Sequence, residues 1–489
     1  MSLLQLPNEL TLLISKLLPP PELNSLVQTS RYFANLLQPY LLSKVFTLRS
    51  EEYGKRLLYS LAQSRNRSGI RVLVGQGILD FVPQRQLLNT AVKTLPTAAV
   101  EFLLDSLGEE NVGSFSNVSN RSPLKTAAMR GLLEMVEMLL RRGFGAELSE
   151  TGCPGPLYTA ASYGHVDVVK VMLEHPDVNV NTRNQDRTTP LTTAAFKGHE
   201  PVVQVLLQDP RVDPNLRDDG SSTALLKASL RGHAGVVKLL LLEDRLEVNV
   251  QDDRGWTALG RAASRGHVEA VRELLADKRV DVNVGNIGGE SSLFVMVRRR
   301  SMLDVVRQCL ADPRFDVCVR DNDTKTIMHV AAQFEPTGMV DILLADPRID
   351  VNARDEGGQT PLYTAVDSKN VAAVEALLVD DRVQVNIGDL NGVGPLERAL
   401  AGGDREVIRL LLANCKVSKE ILLERGIKRE VLDGLESGLL DEAVEAVLAA
   451  GAQRAAGTEG EAGAEEGAGG EGAAAPVAVP EGGVGAAVA

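Results

Sequence analysis

Four of the six histidines stand at His165, His199, His233 and His267, each directly after a glycine and each 34 residues from the next. Imidazoles in a regular series are the residues from which metal sites and proton relays are made. One histidine per 34 residues implies one per structural unit, and packed helical layers lie roughly 8–10 Å apart. Metal–nitrogen bonds are about 2 Å long, so successive rings cannot share an ion, and the spacing points instead to bonds between ring and backbone of neighbouring units. Cysteine offers nothing more: Cys153, Cys309, Cys318 and Cys415 are far apart, with no C-x-x-C and no Cys/His cluster. The chain contains no GxxxxGK[ST], HExxH or GxSxG. Its glycine-rich GAGGEG lies in an Ala/Gly/Glu tract and follows no strand. No catalytic, cofactor-binding or metal-binding residue is expected, and the chain reads as something other than an enzyme.

Charge and composition narrow the classes further. The 489 residues carry a net charge of −13, which is unfavourable for neutralising nucleic-acid phosphates. Aromatic residues make up 4% of the chain, so its cores must be built from Leu, Val and Ala, and the length exceeds what one core serves. The amino terminus, MSLLQLPNEL, lacks the basic start of a secretory signal. No apolar run approaches the ~18 residues of a membrane span. Isolated cysteines of this kind read as reduced and mostly buried, so a cytoplasmic or nuclear location is expected, with no membrane partner.

The elements that position the histidines recur with them. A triplet of the TPL type, a small-residue pair, Gly-His and a Val/Leu run repeat along the chain, as in GPLYTAASYGHVDVVKVML from Gly155 and TPLTTAAFKGHEPVVQVLL from Thr189. The last triplet residue falls at 124, 157, 191, 225, 259, 293, 328, 362 and 396, so successive spacings are 33 to 35 residues. Thr caps a helix and Pro suits its first turn. The Ala pair gives that helix one very small face, and Gly ends it in a left-handed turn. The following run has the i, i+3, i+4 spacing of a second helix with one buried stripe. Asp/Asn/Gly-rich stretches between units mark turns or hairpins. No such unit buries its apolar face alone, so the units must stack. Two are irregular: the unit at Ser291 has Met296-Val297 and Arg300-Ser301, and that at Thr326 has Glu335-Pro336, where the others have Ala pairs and Gly-His.

This pattern resembles the ankyrin repeat over roughly residues 121–416, and the resemblance implies an all-α solenoid of stacked helix-turn-helix units with hairpin loops. LLNTAVKTLPTAAVEFLL from Leu87 looks like a degenerate unit within a connecting stretch, 46–120. Residues 417–451 suit a carboxy-terminal cap, and 452–489 are too poor in apolar side chains to fold.

Residues 1–45 form a different pattern. Leu6-Pro7-x-Glu9-Leu10, Ile14, Leu17, Leu23, Leu26, Ser30-Arg31-x-Phe33 and Leu36 suit three short helices broken by Pro19-Pro20-Pro21. The stretch resembles an F-box. That resemblance implies docking on the adaptor subunit of a cullin-type ubiquitin ligase, with Leu6, Pro7, Leu10 and Ile14 as anchors. The alternative is an amino-terminal cap on a scaffold that has no ubiquitin role.

A position repeated every 34 residues becomes a row on the stacked units. Before the repeat glycine stand Tyr163, Lys197, Arg231 and Arg265, with Arg299 in the equivalent place of the next unit. One residue earlier come Phe196, Leu230 and Arg298. These residues could receive an acidic or mixed peptide, although basic residues also serve simply as solvated helix ends. Trp256, after the turn Asp252–Gly255, is placed where its side chain should be exposed, either as an interface anchor or lying flat on the next hairpin as packing. The expected function is therefore protein binding, by a subunit that recruits a target to a ligase and is monomeric outside its complex.

Overall fold

The computed structural model describes residues 43, 45–107, 122–144, 155–334 and 338–414. The F-box-like motif residues Leu6 to Leu36, Cys153, Cys415 and the segments 417–451 and 452–489 lie outside these residues. Among the described residues there is no strand, and the chain divides into two compact units after Asn322.

In the first unit, α1 (Glu51–Gln63) and α2 (Arg67–Gly75) both pack on α4 (Thr97–Leu107), which follows α3 (Gln84–Thr94). Helix pairs then recur: α5 (Pro123–Arg130) with α6 (Leu133–Arg141), α7 (Pro156–Tyr163) with α8 (Val166–Leu173), and α9 (Pro190–Lys197) with α10 (Glu200–Gln208). They continue as α11 (Ala224–Arg231) with α12 (Ala234–Leu241), α13 (Ala258–Arg265) with α14 (Val268–Ala276), and α15 (Ser292–Val297) with α16 (Leu303–Ala311). First helices pack on first helices from α3 to α15, and second on second from α4 to α14. The second unit repeats the scheme with α17 (Ile327–Gln333) and α18 (Met339–Leu344), α19 (Pro361–Asp367) and α20 (Val371–Val379), and α21 (Pro395–Gly402) and α22 (Arg405–Ala413).

Local chemistry sets each pair. Ser122, Thr189, Thr223, Thr257 and Thr360 accept a bond from the backbone N–H three residues on, capping the first helix. The small pairs Ala160-Ala161, Ala194-Ala195 and Ala262-Ala263 are completely buried, which lets successive first helices approach closely. In α11 the second member is Ser229, also fully buried, and its Oγ has no hydrogen-bond partner among the described residues. Glycines 131, 164, 198, 232 and 266 end the first helices with φ between 67° and 79°. The two repeats that are irregular in sequence also have short helices. Helix α15 has six residues, ends at Arg298 in the right-handed region and runs into a tight turn, Arg300–Met302; α17 and α18 have seven and six.

Candidate protein-binding surface

The histidines are clasps. Nε2 of His165, His199, His233 and His267 lies 3.0–3.2 Å from the carbonyl oxygens of Met129, Ser162, Phe196 and Leu230, each in the preceding repeat. Each ring also lies against the left-handed glycine of that repeat, so closely that a Cβ on Gly131, Gly164, Gly198 or Gly232 would come within 2.5–2.9 Å of it. Only glycine fits both the dihedral and the space. Where Gly-His is missing, other donors reach the same carbonyl or those beside it. Arg299 donates to Ser264 O, and in the second unit Asn370 donates to Ala332 O at 3.0 Å and Phe334 O at 3.2 Å.

Two further clasps were not read from the sequence. Asn181, Asn215, Asn249, Asn283 and Asn352 each donate Nδ2 to an arginine carbonyl in the following repeat and accept a backbone N–H there, so that a side-chain amide joins successive loops. At the ends of the second helices, Asp-x-Arg pairs form forks. Arg211 holds Asp209 at 2.7 Å and reaches back to Leu173 O at 2.7 Å, and Arg314 does the same with Asp312 and Leu275 O. Hydrogen bonds from these arginines hold the Asp209, Asp277, Asp312 and Asp346 carboxyls below the usual carboxylate range. The signal was available: both motifs recur at intervals of about 34 residues, but each looks like ordinary turn composition until the acceptor one repeat away is known.

The row residues fall into two sets. Lys197, Arg231, Arg265 and Arg299 are exposed, as is Tyr163, whose ring stacks beside His165 with centroids 6.2 Å apart. Phe196 and Leu230 are half-buried, and the Arg231 guanidinium sits 4.4 Å above the Phe196 ring. No carboxylate among the described residues pairs with Lys197, Arg231 or Arg265. Arg298, by contrast, is half-buried and bonded to Glu290, so it belongs to the framework. The same holds one turn inward, where Lys227 pairs with Asp218 at 2.6 Å and Arg261 with Asp252 at 2.5 Å. Arg130, which the sequence reading passed over, occupies the row position of its own repeat and donates to Lys93 O.

Trp256 is less exposed than its position after a turn suggests. It is half-buried, its ring packed over Gly260 so closely that a Cβ there would lie 2.5 Å from Cε3, and its backbone N–H donates to Asp252 Oδ1 at 3.1 Å. A glycine four residues later leaves a hollow on α13, and the indole fills it. Of the two cysteines described, Cys309 is buried as expected, with burial pushing its thiol up to about 12, whereas Cys318 is exposed. Among the described residues no three metal-ligating side chains cluster, and no helix is long and apolar enough to cross a membrane.

Family models of ankyrin repeats match residues 127–218 and 210–286, in a three-copy form, and residues 328–378, in a many-copy form. These segments are ankyrin repeats. The chain is also similar to alpha-latrocrustotoxin-Lt1a of Latrodectus tredecimguttatus, 30% identical over 90 residues, which is 18% of this chain and 6% of the toxin. It therefore spans a small fraction of that relative's length. Among solved structures it is similar to EF0377, an ankyrin repeat protein, with a TM-score of 0.36 and 26% identity over 38% of this chain and 95% of that one. Ankyrin repeats indicate a protein-binding scaffold. On the exposed face of the first helices, Lys197, Arg231 and Arg265 have no carboxylate partner among the described residues.

Proposed function

We propose that this chain is the target-recruiting subunit of a cullin-type ubiquitin ligase, with residues 1–45 docking the adaptor and the ankyrin repeats holding the protein to be modified. Catalysis then resides in other subunits. The observation that carries the binding half is the division of basic residues. Lys227, Arg261 and Arg298 are neutralised by hairpin carboxylates, while Lys197, Arg231 and Arg265 point outward with none. The framework neutralises the inner cations of these helices and leaves the outer row open to a partner. The docking half rests on the F-box resemblance of Leu6, Pro7, Leu10 and Ile14.

Co-purification of the adaptor with the full chain tests the docking half. Wild type retains the adaptor and the Pro7→Asp, Leu10→Asp double variant loses it; wild type without adaptor ends the ligase reading. Deleting residues 1–45 separates docking from capping. A soluble remainder with unchanged unfolding favours docking, whereas aggregation favours a cap on a scaffold outside the ubiquitin system.

A further inference from the structure

We infer that the row Tyr163–Lys197–Arg231–Arg265 is a track for an acidic peptide in the polyproline II conformation, with a carboxylate at every third residue. The inference rests on the protein-binding reading of this surface and names its ligand. Adjacent first helices pack directly, so one row residue follows the next at the helix-packing distance of roughly 8–10 Å. A polyproline II segment turns once in three residues and rises about 3.1 Å per residue, which brings side chains i and i+3 to one face about 9.3 Å apart. A β-strand does not match this spacing. Its same-face side chains recur at about 6.6 Å or 13 Å, and its third residue points away. An α-helix matches only at every seventh residue, about 10.5 Å apart.

The chemistry along the row agrees with the spacing. Its three cations have no carboxylate partner among the described residues, in a chain whose net charge is −13. The Arg231 guanidinium is already held at 4.4 Å over Phe196, so less side-chain freedom is lost when it meets an anion. Tyr163, 56% exposed and stacked beside His165, offers a flat ring at the first position, the kind of surface on which proline rings of such segments lie. At the next position after Arg265 the pattern stops, because Arg299 is turned back onto Ser264 O.

Four labelled synthetic peptides test this against the full chain by fluorescence anisotropy. The first has Glu-Pro-Pro repeated four times, the second has four glutamates at every second position among prolines, and the third replaces each Glu of the first by Gln. The fourth is an alanine-rich helix with glutamates at every seventh position. The first peptide binds about tenfold tighter than the second and third, and its affinity falls with added salt. The Arg231→Ser, Arg265→Ser double variant, with unfolding midpoint matched to wild type, loses that preference. Tyr163→Ala weakens binding while leaving the salt dependence unchanged. Equal affinity for the two proline-spaced registers would reduce the row to non-specific charge and overturn the inference, as would preference for the helix or indifference to the double variant. Since these measurements do not involve residues 1–45, failure here leaves the adaptor test untouched, and the reverse also holds.

Discussion

The two units build one repeat from different residues. Up to Asn322, most repeats close with a left-handed glycine and a histidine that bonds the carbonyl behind it. After Asp323, one repeat holds Lys369, forced to φ 56°, and Asn370, whose amide does the work of the ring, while the last keeps a left-handed glycine, Gly403, followed by Asp404 rather than histidine. At the third position of the first helix the contrast runs the other way. Gly260 in the first unit is roofed by Trp256, whereas His329 in the second is wholly buried, bonding Thr326 through Nδ1 and Gln359 O through Nε2 at 3.0 Å. The outer faces differ more. The row positions of the second unit carry Phe334, Ser368 and Gly402 in place of Lys and Arg. Its described surface has instead a hollow of about 500 Å3, lined by Phe334, Val340, Leu344, Ala376 and Val379, with Asp341 and Glu375 among its walls. A repeat joint thus tolerates any donor that reaches the carbonyl, while the exposed row depends on residue type.

The sharpest test of that contrast is His329→Ala, which leaves Gln359 O without its ring partner and opens a cavity; urea unfolding is expected to show a loss of about 3 kcal/mol. The half-buried His267→Ala should lose markedly less, and equal losses would mean the two positions are not different in kind. Gly232→Ala forces a side chain into the left-handed region and against His267, so a loss of about 2 kcal/mol is expected in the same measurement. Trp256→Ala uncovers Gly260 and should lower stability by about 1–2 kcal/mol; an unchanged midpoint would return Trp256 to the surface. Ser229→Ala removes a buried hydroxyl without a partner and restores the small pair of the other repeats, a gain of about 1 kcal/mol. Smallest is Lys369→Gly, the mirror of Gly232→Ala, which relieves left-handed strain and should stabilise by about 0.5–1 kcal/mol.

Much of this was legible in the residues because the signals are short-range. A capping Thr, a Pro at the first helical position, a small pair and a Gly-His recur within eleven positions, and each has one local meaning. The histidine clasps followed from spacing alone, since no other bond suits rings one helical layer apart. What escaped depends on partners outside that window. Arg298 and Lys197 look alike in sequence, but a hairpin glutamate eight residues upstream turns the first inward. Trp256 was read from the turn before it, although the glycine after it decides where the indole lies. The asparagine and Asp-x-Arg clasps reach 30 to 39 residues along the chain, and nothing in their immediate neighbourhood distinguishes them from loop composition.

Those asparagines have a consequence for how such a chain can change length. Asn215 bonds Arg245 O and Asn249 bonds Arg279 O by the same geometry. Cutting out residues 216–249 sets Asn215 where Asn249 stood, facing Arg279 with every donor and acceptor matched. Removal or duplication of one period is therefore silent at the joint, while a shift of a single residue breaks all its bonds at once. Only a whole period can be removed or added here without breaking these bonds.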